Sequence, residues 1–212
     1  MSVLLHIDSS PLSAEGSISR HLSHEFVQSW KQAHPDGEVI TRDVTSSNLP
    51  IIDAEWIGAS FTPAAARTDA QREVLAFSDL LIAELRAADE YIIGAPMHNF
   101  TLTASLRLWI DQISRAGETF TYSEEGANGL LKNKKATFIV TSGAVYDEGT
   151  AMASYNFVAP YLRAVFGFLG VTDTTIYMAG GVAQTRYGKL DRDTFLRTHV
   201  EAIQAGFQMA SV

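Results

Sequence analysis

The sequence predicts an α/β fold in which a doubly wound, five-stranded parallel sheet carries helices on both faces. Short apolar runs alternate with longer amphipathic stretches along all 212 residues. Parallel strands need long crossover connections, which those amphipathic stretches provide. Right-handed crossovers permit few strand orders, and 2-1-3-4-5 is a common one. Residues 1–212 are expected to form one domain, because no linker interrupts them.

Five short apolar segments are predicted to form the strands. Each is bounded by turn residues such as proline, glycine, serine and aspartate. The segments are residues 3–7, 38–44, 91–95, 136–140 and 174–178. The second is more polar than the others, which predicts a place near an edge of the sheet.

Amphipathic segments between the strands predict the helices. In one of them, Thr68 and Gln71 have the spacing of a capping box. The predicted helices are residues 18–33, 68–85, 103–115, 158–169 and 191–209. The stretch from Pro50 through Trp56 to Pro63 and the glycine-bearing stretch 117–129 are predicted to be loops.

Composition excludes several classes of function. The chain has 24 acidic and 16 basic residues and a net charge of −8, which disfavours binding to nucleic acid or to an anionic membrane. The absence of cysteine excludes disulfides, thiolate catalysis and cysteine-ligated metals. No apolar run approaches the roughly 18 residues of a membrane span, and no basic segment marks a signal peptide. We therefore expect a cytoplasmic protein.

Three loops are expected to form the binding site. In a doubly wound sheet, ligands bind beyond the carboxyl ends of the strands, where the strand order reverses. The corresponding loops are residues 9–19, 96–103 and 141–146. The first has five serines and a glycine directly before a helix. Such a helix N-terminus suits a phosphate, although the serines could simply cap the helix.

The second and third loops are unusual in composition. The second carries His98, Asn99 and Phe100 where small turn residues are common, which suits a flat, mostly apolar ligand. The alternative is an ordinary turn with Phe100 in the core. In the third loop, Gly143 allows a ligand to approach the backbone closely. Neither GxxxxGK[ST] nor GxGxxG is present, which disfavours a nucleoside triphosphate or a Rossmann-bound dinucleotide.

Several segments now occur together in a recognisable order. After the serine loop come APMHNF at 95–100, RAGETF at 115–120, and Gly129-Leu130 leading to Lys134-Lys135-Ala136. With these, essentially the whole chain resembles the FMN-dependent NADH-azoreductases, a flavodoxin-like quinone reductase family. The resemblance implies bound FMN and NADH or NADPH as electron donor. It also implies ping-pong, two-electron reduction of quinones and azo compounds, and a homodimer with its active site at the interface.

The resemblance also assigns residues to the site, with no catalytic side chain because the flavin carries the chemistry. The segments implied to bind FMN are Ser10, Ser17, Ile18 and Ser19 at the phosphate, Met97, His98, Asn99 and Phe100 at the ring, and Thr141, Ser142, Gly143 and Ala144 at its pyrimidine end. The residues implied to bind substrate are Phe120, Tyr122, Tyr146 and Phe168. Relatives often have tyrosine in place of His98, and Ser-Arg-Gly-Gly at 141–144.

Other interpretations remain as alternatives. A flavodoxin-like FMN electron carrier without NADH oxidation would share the fold. His21 and His24 have helical ligand spacing but lack an HExxH pattern, so no metal is expected. Asp53 and Glu55 are interpreted as solvated loop charges. Arg20, Arg107 and Arg115 are candidate sources of positive potential for anionic substrates, and Trp56 is a candidate to reach a neighbouring subunit's active site.

Overall fold

Seven strands form two sheets in the part of the chain that the structure describes. The computed structural model describes residues 2–210, with side chains through Phe207. Met1, Ser211 and Val212, which the single-domain prediction includes, lie outside it. The strands are β1 (Val3–Asp8), β2 (Glu38–Asp43), β3 (Glu90–Pro96), β4 (Phe120–Ser123), β5 (Gly126–Gly129), β6 (Lys135–Ser142) and β7 (Asp173–Gly180).

The main sheet is parallel throughout and has the order β2-β1-β3-β6-β7. Its members are the five predicted strands, so the predicted 2-1-3-4-5 order and the fold class are confirmed. The more polar β2 lies at an edge, as expected. The order reverses beside β1, and this places the loops after β1 and β3 next to each other.

Helices cover both faces of this sheet. They are α1 (Ile18–Ala33), α2 (Ala54–Phe61), α3 (Asp69–Ala87), α4 (Ala104–Ile113), α5 (Val158–Leu169), α6 (Val182–Arg186) and α7 (Arg192–Ala210). The predicted capping box is confirmed at the start of α3: the Gln71 amide donates to Thr68 Oγ1 at 3.2 Å, and the Thr68 amide donates to Gln71 Oε1 at 3.0 Å.

Alternation along the strands divides the core into two layers. In β1, Leu4 packs with α1 and α7, whereas Leu5 and Ile7 pack with α3, α4 and α5 on the other face. The same alternation turns His6 and Asp8 towards α1, where both contact Ser23. Polar groups of β1 therefore lie under the beginning of the first loop.

The predicted loop around Trp56 is wrong, because residues 54–61 form helix α2. Asp53 is exposed, as expected, and its side chain also caps α2 by accepting the Trp56 amide at 2.8 Å. Trp56 is buried, and its indole Nε1 donates to Gln112 Oε1 at 3.0 Å. It is thus fixed within its own chain by α4.

The stretch 117–129 is also more ordered than predicted. Instead of an irregular loop, it contains the antiparallel hairpin β4–β5, in which Phe120 pairs with Gly129. A Cβ atom added at Gly129 would overlap the backbone of Leu169 and Gly170 at the end of α5. Close backbone approach at Gly129 therefore fixes the hairpin against α5.

Candidate functional site

A cavity of about 310 Å³ lies where the three predicted loops meet. The loop after β1 contributes Ser10 and residues 16–19, the loop after β3 contributes residues 96–98, and β6 with its following loop contributes residues 141–143. Its volume is at the lower end of the range for small-molecule sites, roughly 300–1,000 Å³. The sequence-based placement of the site at this end of the sheet therefore agrees with the geometry.

The first loop forms the polar end of the cavity. Ser10, Ser17 and Ser19 are buried in its wall, and the Ser17 and Ser19 hydroxyls lie 3.1 Å apart. Ser17 also caps α1, accepting the Arg20 amide at 3.2 Å. Helix geometry leaves the amides of Ile18 and Ser19 without an intrahelical acceptor, and the helix dipole favours an anion there. Capping and anion binding are thus compatible roles of one segment.

Arg20 fixes the first loop through its guanidinium group. Its Nε and Nη2 donate to the Ser10 carbonyl at 3.2 and 2.7 Å. Nη1 donates to Asp8 Oδ2 at 3.2 Å, and Nη2 to Asp43 Oδ2 at 2.7 Å. Two carboxylates therefore match the charge of Arg20, which serves to position Ser10.

Asp43 is adapted to this role. Burial raises the pKa of the Asp43 carboxyl, but hydrogen bonds from Thr45 and Arg20 together outweigh that effect and hold the pKa below its ordinary value. Asp43 thus stays ionised at neutral pH and keeps Arg20 paired.

The second loop is a tight, strained turn. The His98 amide donates to the Thr101 carbonyl at 2.9 Å, and the Thr101 amide donates to the His98 carbonyl at 3.1 Å. Between them, Asn99 and Phe100 have positive φ angles of 48° and 72°. Such a conformation costs energy for residues other than glycine and concentrates at binding sites.

The ring-bearing residues of this turn are not in the core. Phe100 is 41% exposed and contacts the rings of Tyr146 and Tyr155, with centroids 6.3 and 5.3 Å apart. Met97 and His98 line the cavity, but Asn99 and Phe100 do not. The alternative in which Phe100 fills the core is therefore excluded, and the loop contributes Met97 and His98 to the cavity wall.

The third loop is joined to a helix that the sequence analysis did not find. The Ala183 amide donates to the Gly143 carbonyl at 3.0 Å, and the Gly181 amide donates to Ala144 at 3.1 Å. Through these bonds α6 brings Val182, Ala183 and Arg186 into the cavity wall, whereas Ala144 does not line it. The Gly180-Gly181 pair at the end of β7 was the available signal, since glycine favours a turn there and Gly181 has a φ of +87°.

The four predicted substrate-binding aromatics are not among the cavity-lining residues. Phe120 contacts Tyr122 and Phe168, with ring centroids 5.5 and 4.7 Å away, so these three form one cluster on the hairpin and α5. Tyr146 belongs instead to the Phe100 group.

The remaining candidate arginines are engaged elsewhere. Arg107 pairs with Asp111 on the surface of α4. Arg115 is 1% exposed at its side chain and pairs with Asp79. Neither lines the cavity.

Two further expectations concern metals and membranes. In residues 2–210, no cluster of three or more histidine or acidic side chains is suited to a metal ion. None of the helices in the described part of the chain is both long and apolar enough to cross a membrane.

The donor set and shape of the cavity fit FMN. The serine end offers hydroxyls and helix amides to a phosphate. The other walls, formed by Met97, Val182 and the backbone at Gly143, suit a flat ring with polar edges. A Cβ added at Gly143 would meet only the Ala183 Cβ, at 3.9 Å, so this side of the backbone stays open.

Comparisons with known proteins agree with this geometry. A family model described as flavodoxin-like fold matches residues 2–205. An FMN-dependent NADH:quinone oxidoreductase of Acidobacterium capsulatum is 50% identical over 96% of this chain and 98% of its own. One from Burkholderia lata is 48% identical with the same coverage, 96% and 98%.

A solved structure is similar over its full length. The FMN-dependent NADH-azoreductase of Bacillus anthracis, in complex with FMN, superposes with a TM-score of 0.87 at 25% identity, covering 100% of both chains. Fold, cavity and sequence relatives all lead to one assignment: the chain belongs to the FMN-dependent NADH:quinone oxidoreductases, a family with the flavodoxin-like fold.

Proposed function

We propose that this protein binds FMN and uses NADH or NADPH to reduce quinones and azo compounds by two electrons. The observation that carries the proposal is the meeting of three loops at one cavity, with buried serines at the start of α1 on one side and Met97, Gly143 and Val182 on the other. One relative is named a quinone oxidoreductase and another an azoreductase, and these names support quinones and azo compounds as the acceptors. The proposal includes one FMN-binding domain over residues 1–212 in the cytoplasm, without a nucleic-acid partner.

The proposed binding residues divide between the two ends. The serine end holds the phosphate through hydroxyls and amides, and the other end holds the ring. The proposed phosphate residues are Ser10, Ser17, Ile18 and Ser19, and the proposed ring residues are Met97, His98, Asn99, Phe100, Thr141, Ser142, Gly143 and Ala144. Of these, Asn99, Phe100 and Ala144 are proposed to act through the shape of their turns, because they do not line the cavity.

Bound FMN supplies reversible two-electron chemistry. The chain's contribution is to bind and orient this cofactor. The backbone around Gly143 presents peptide dipoles at the pyrimidine end, and preorganised dipoles stabilise negative charge without reorganising. The strained turn at Asn99 and Phe100 would act on the other edge of the ring by fixing the preceding residues Met97 and His98, which line the cavity. Water can supply protons to a reduced quinone, so no acid–base side chain is required.

We further propose a homodimer. Phe120, Tyr122 and Phe168 suit stacking on planar acceptors, each contact being worth roughly 0.5–1.5 kcal/mol beyond burial. Tyr122 is 72% exposed and Phe168 38% exposed, and neither lines the cavity of its own chain. A second copy that brings this cluster to the cavity would cover the exposed faces of both rings. Tyr122→Ala should then raise the KM for a quinone while leaving FMN affinity unchanged.

Steady-state kinetics test the proposed activity. NADH oxidation by the FMN-loaded protein should require a quinone, and double-reciprocal plots at several quinone concentrations should be parallel, as ping-pong exchange at one site demands. A protein that binds FMN but does not consume NADH with a quinone would be an electron carrier instead.

Ligand binding tests the phosphate end separately. Ser17→Ala and Ser19→Ala should weaken FMN binding more than riboflavin binding, because only FMN carries the phosphate. Ser29→Ala, farther along α1, is the matched control. Equal losses for FMN and riboflavin would contradict the assignment of this end.

A further inference from the structure

Arg186 is the one arginine, lysine or acidic residue among those that line the cavity. It is the last residue of α6, and its side chain is exposed. His98 is the remaining basic side chain among the lining residues. The cavity therefore has a single permanently charged side chain in its wall, and the charge is positive.

The segment that carries Arg186 is bonded to two of the loops. On one side, α6 is fixed to the third loop by the bonds from Ala183 to Gly143 and from Gly181 to Ala144. On the other side, Arg192 Nη2 donates to the Glu15 carbonyl of the first loop at 2.8 Å. The segment from α6 to the first residue of α7 thus contacts both the third and the first loop.

Unlike the other candidate arginines, Arg186 has a charge that is not already matched. Arg20 pairs with Asp8 and Asp43, and Arg115 pairs with Asp79. Within residues 2–210, Arg186 forms no ion pair. In a chain with a net charge of −8, an unpaired cation at a cavity is a local attraction for anions.

We propose that Arg186 binds a phosphate group of a nucleotide held in the cavity. The inference rests on the proposed function, which brings two phosphate-bearing nucleotides to this place: FMN and the nicotinamide donor. A guanidinium presents paired N–H donors that match phosphate oxygens, and it stays charged at every working pH. Arg186 would thereby determine which nucleotides the cavity prefers.

Two measurements on Arg186→Gln separate the two sources of phosphate. The first compares FMN and riboflavin binding to the full-length apoprotein by flavin fluorescence. The second compares kcat/KM of the FMN-loaded enzyme for NADH and for 1-benzyl-1,4-dihydronicotinamide, a donor without phosphate. Lys189→Gln is the matched control, because it removes the same charge three residues away without touching the cavity. Arg186→Lys tests whether charge alone suffices.

The inference predicts a loss of about three- to fivefold in one phosphate-bearing member of a pair, the upper part of the range for one ion pair near the surface. A loss for FMN but not riboflavin identifies the cofactor phosphate, and a loss for NADH but not the simple donor identifies the donor phosphate. Arg186→Lys should recover part of the loss.

Three outcomes would overturn it: both pairs within twofold of wild type, equal losses within each pair, or the same losses in Lys189→Gln. If wild-type protein binds neither FMN nor NADH, the proposed function fails and this inference fails with it. If wild-type protein binds both and Arg186→Gln is unchanged, the inference alone fails.

Discussion

Replacing Arg20 by glutamine should loosen the loop that follows β1 and weaken both the fold and FMN binding. The side chain is 14% exposed and makes two bonds to the Ser10 carbonyl, at 3.2 and 2.7 Å. It also pairs with Asp8, which is 13% exposed at its side chain. Glutamine would leave that carboxylate half-buried without its cation.

The magnitude follows from these contacts. Hydrogen bonds to charged groups are worth about 1.5–3 kcal/mol, and a buried charge left unpaired costs more than an exposed one. We expect Arg20→Gln to lower the free energy of unfolding by about 2–3 kcal/mol. At roughly 2–4 °C per kcal/mol for a chain of this size, the Tm should fall by about 4–12 °C.

Urea unfolding of the apoprotein and flavin titration measure the two effects. FMN affinity should fall by about fivefold or more, because the cofactor must then order the Ser10 segment on binding. The control is Arg72→Gln, whose partner Asp69 is fully exposed and whose loss should cost less than about 0.5 kcal/mol. If Arg20→Gln costs no more than Arg72→Gln, this account of how the loop is held is wrong.

Three further changes test other parts of the structure. Gly129→Ala should destabilise the protein by more than about 2 kcal/mol in urea unfolding, because the added Cβ would overlap the end of α5. The control is Gly58→Ala inside α2, where the added Cβ meets nothing within 4 Å and should stabilise the protein by up to about 1 kcal/mol. Equal effects of the two substitutions would refute the close approach at Gly129. The pKa of Asp43 is lowered in the folded state, so its stabilising contribution is present above the unfolded pKa and is lost as pH falls through the folded one. Asp43→Asn should flatten that part of an acid-unfolding curve, and an unchanged slope would contradict the pairing. Gln112→Leu leaves the buried Trp56 indole N–H unpaired and should cost about 1–3 kcal/mol by thermal unfolding, with a cost near zero as the opposing result.

The fold was largely predictable because its signals are local. Apolar runs and amphipathic spacing found the five strands of the main sheet, and right-handed crossovers left few strand orders, among which the observed one is common. The errors arose where a local signal had two meanings. Asp53 could be a solvated charge or a helix cap, and only the contact of Trp56 with Gln112 shows why a helix forms there.

The site was predictable in its location but not in all its members. Ser10, Met97 and Thr141 lie at or just beyond the carboxyl ends of strands that meet in this fold, so their convergence could be foreseen. Arg186 could not be found in this way, because α6 lies after the last strand and reaches the cavity through backbone bonds to Gly143 and Ala144. Likewise, the sequence alone did not reveal that Arg20 and Arg115 form ion pairs with carboxylates that are distant along the chain.

The most direct test of the central claim is a visible absorption spectrum of the FMN-reconstituted protein, recorded anaerobically before and after NADH and then after a benzoquinone. The account predicts that the flavin absorption bleaches with NADH and returns with the quinone. A bound flavin that NADH leaves oxidised would contradict the reductase, and a protein that retains no flavin would contradict the assignment of all three loops.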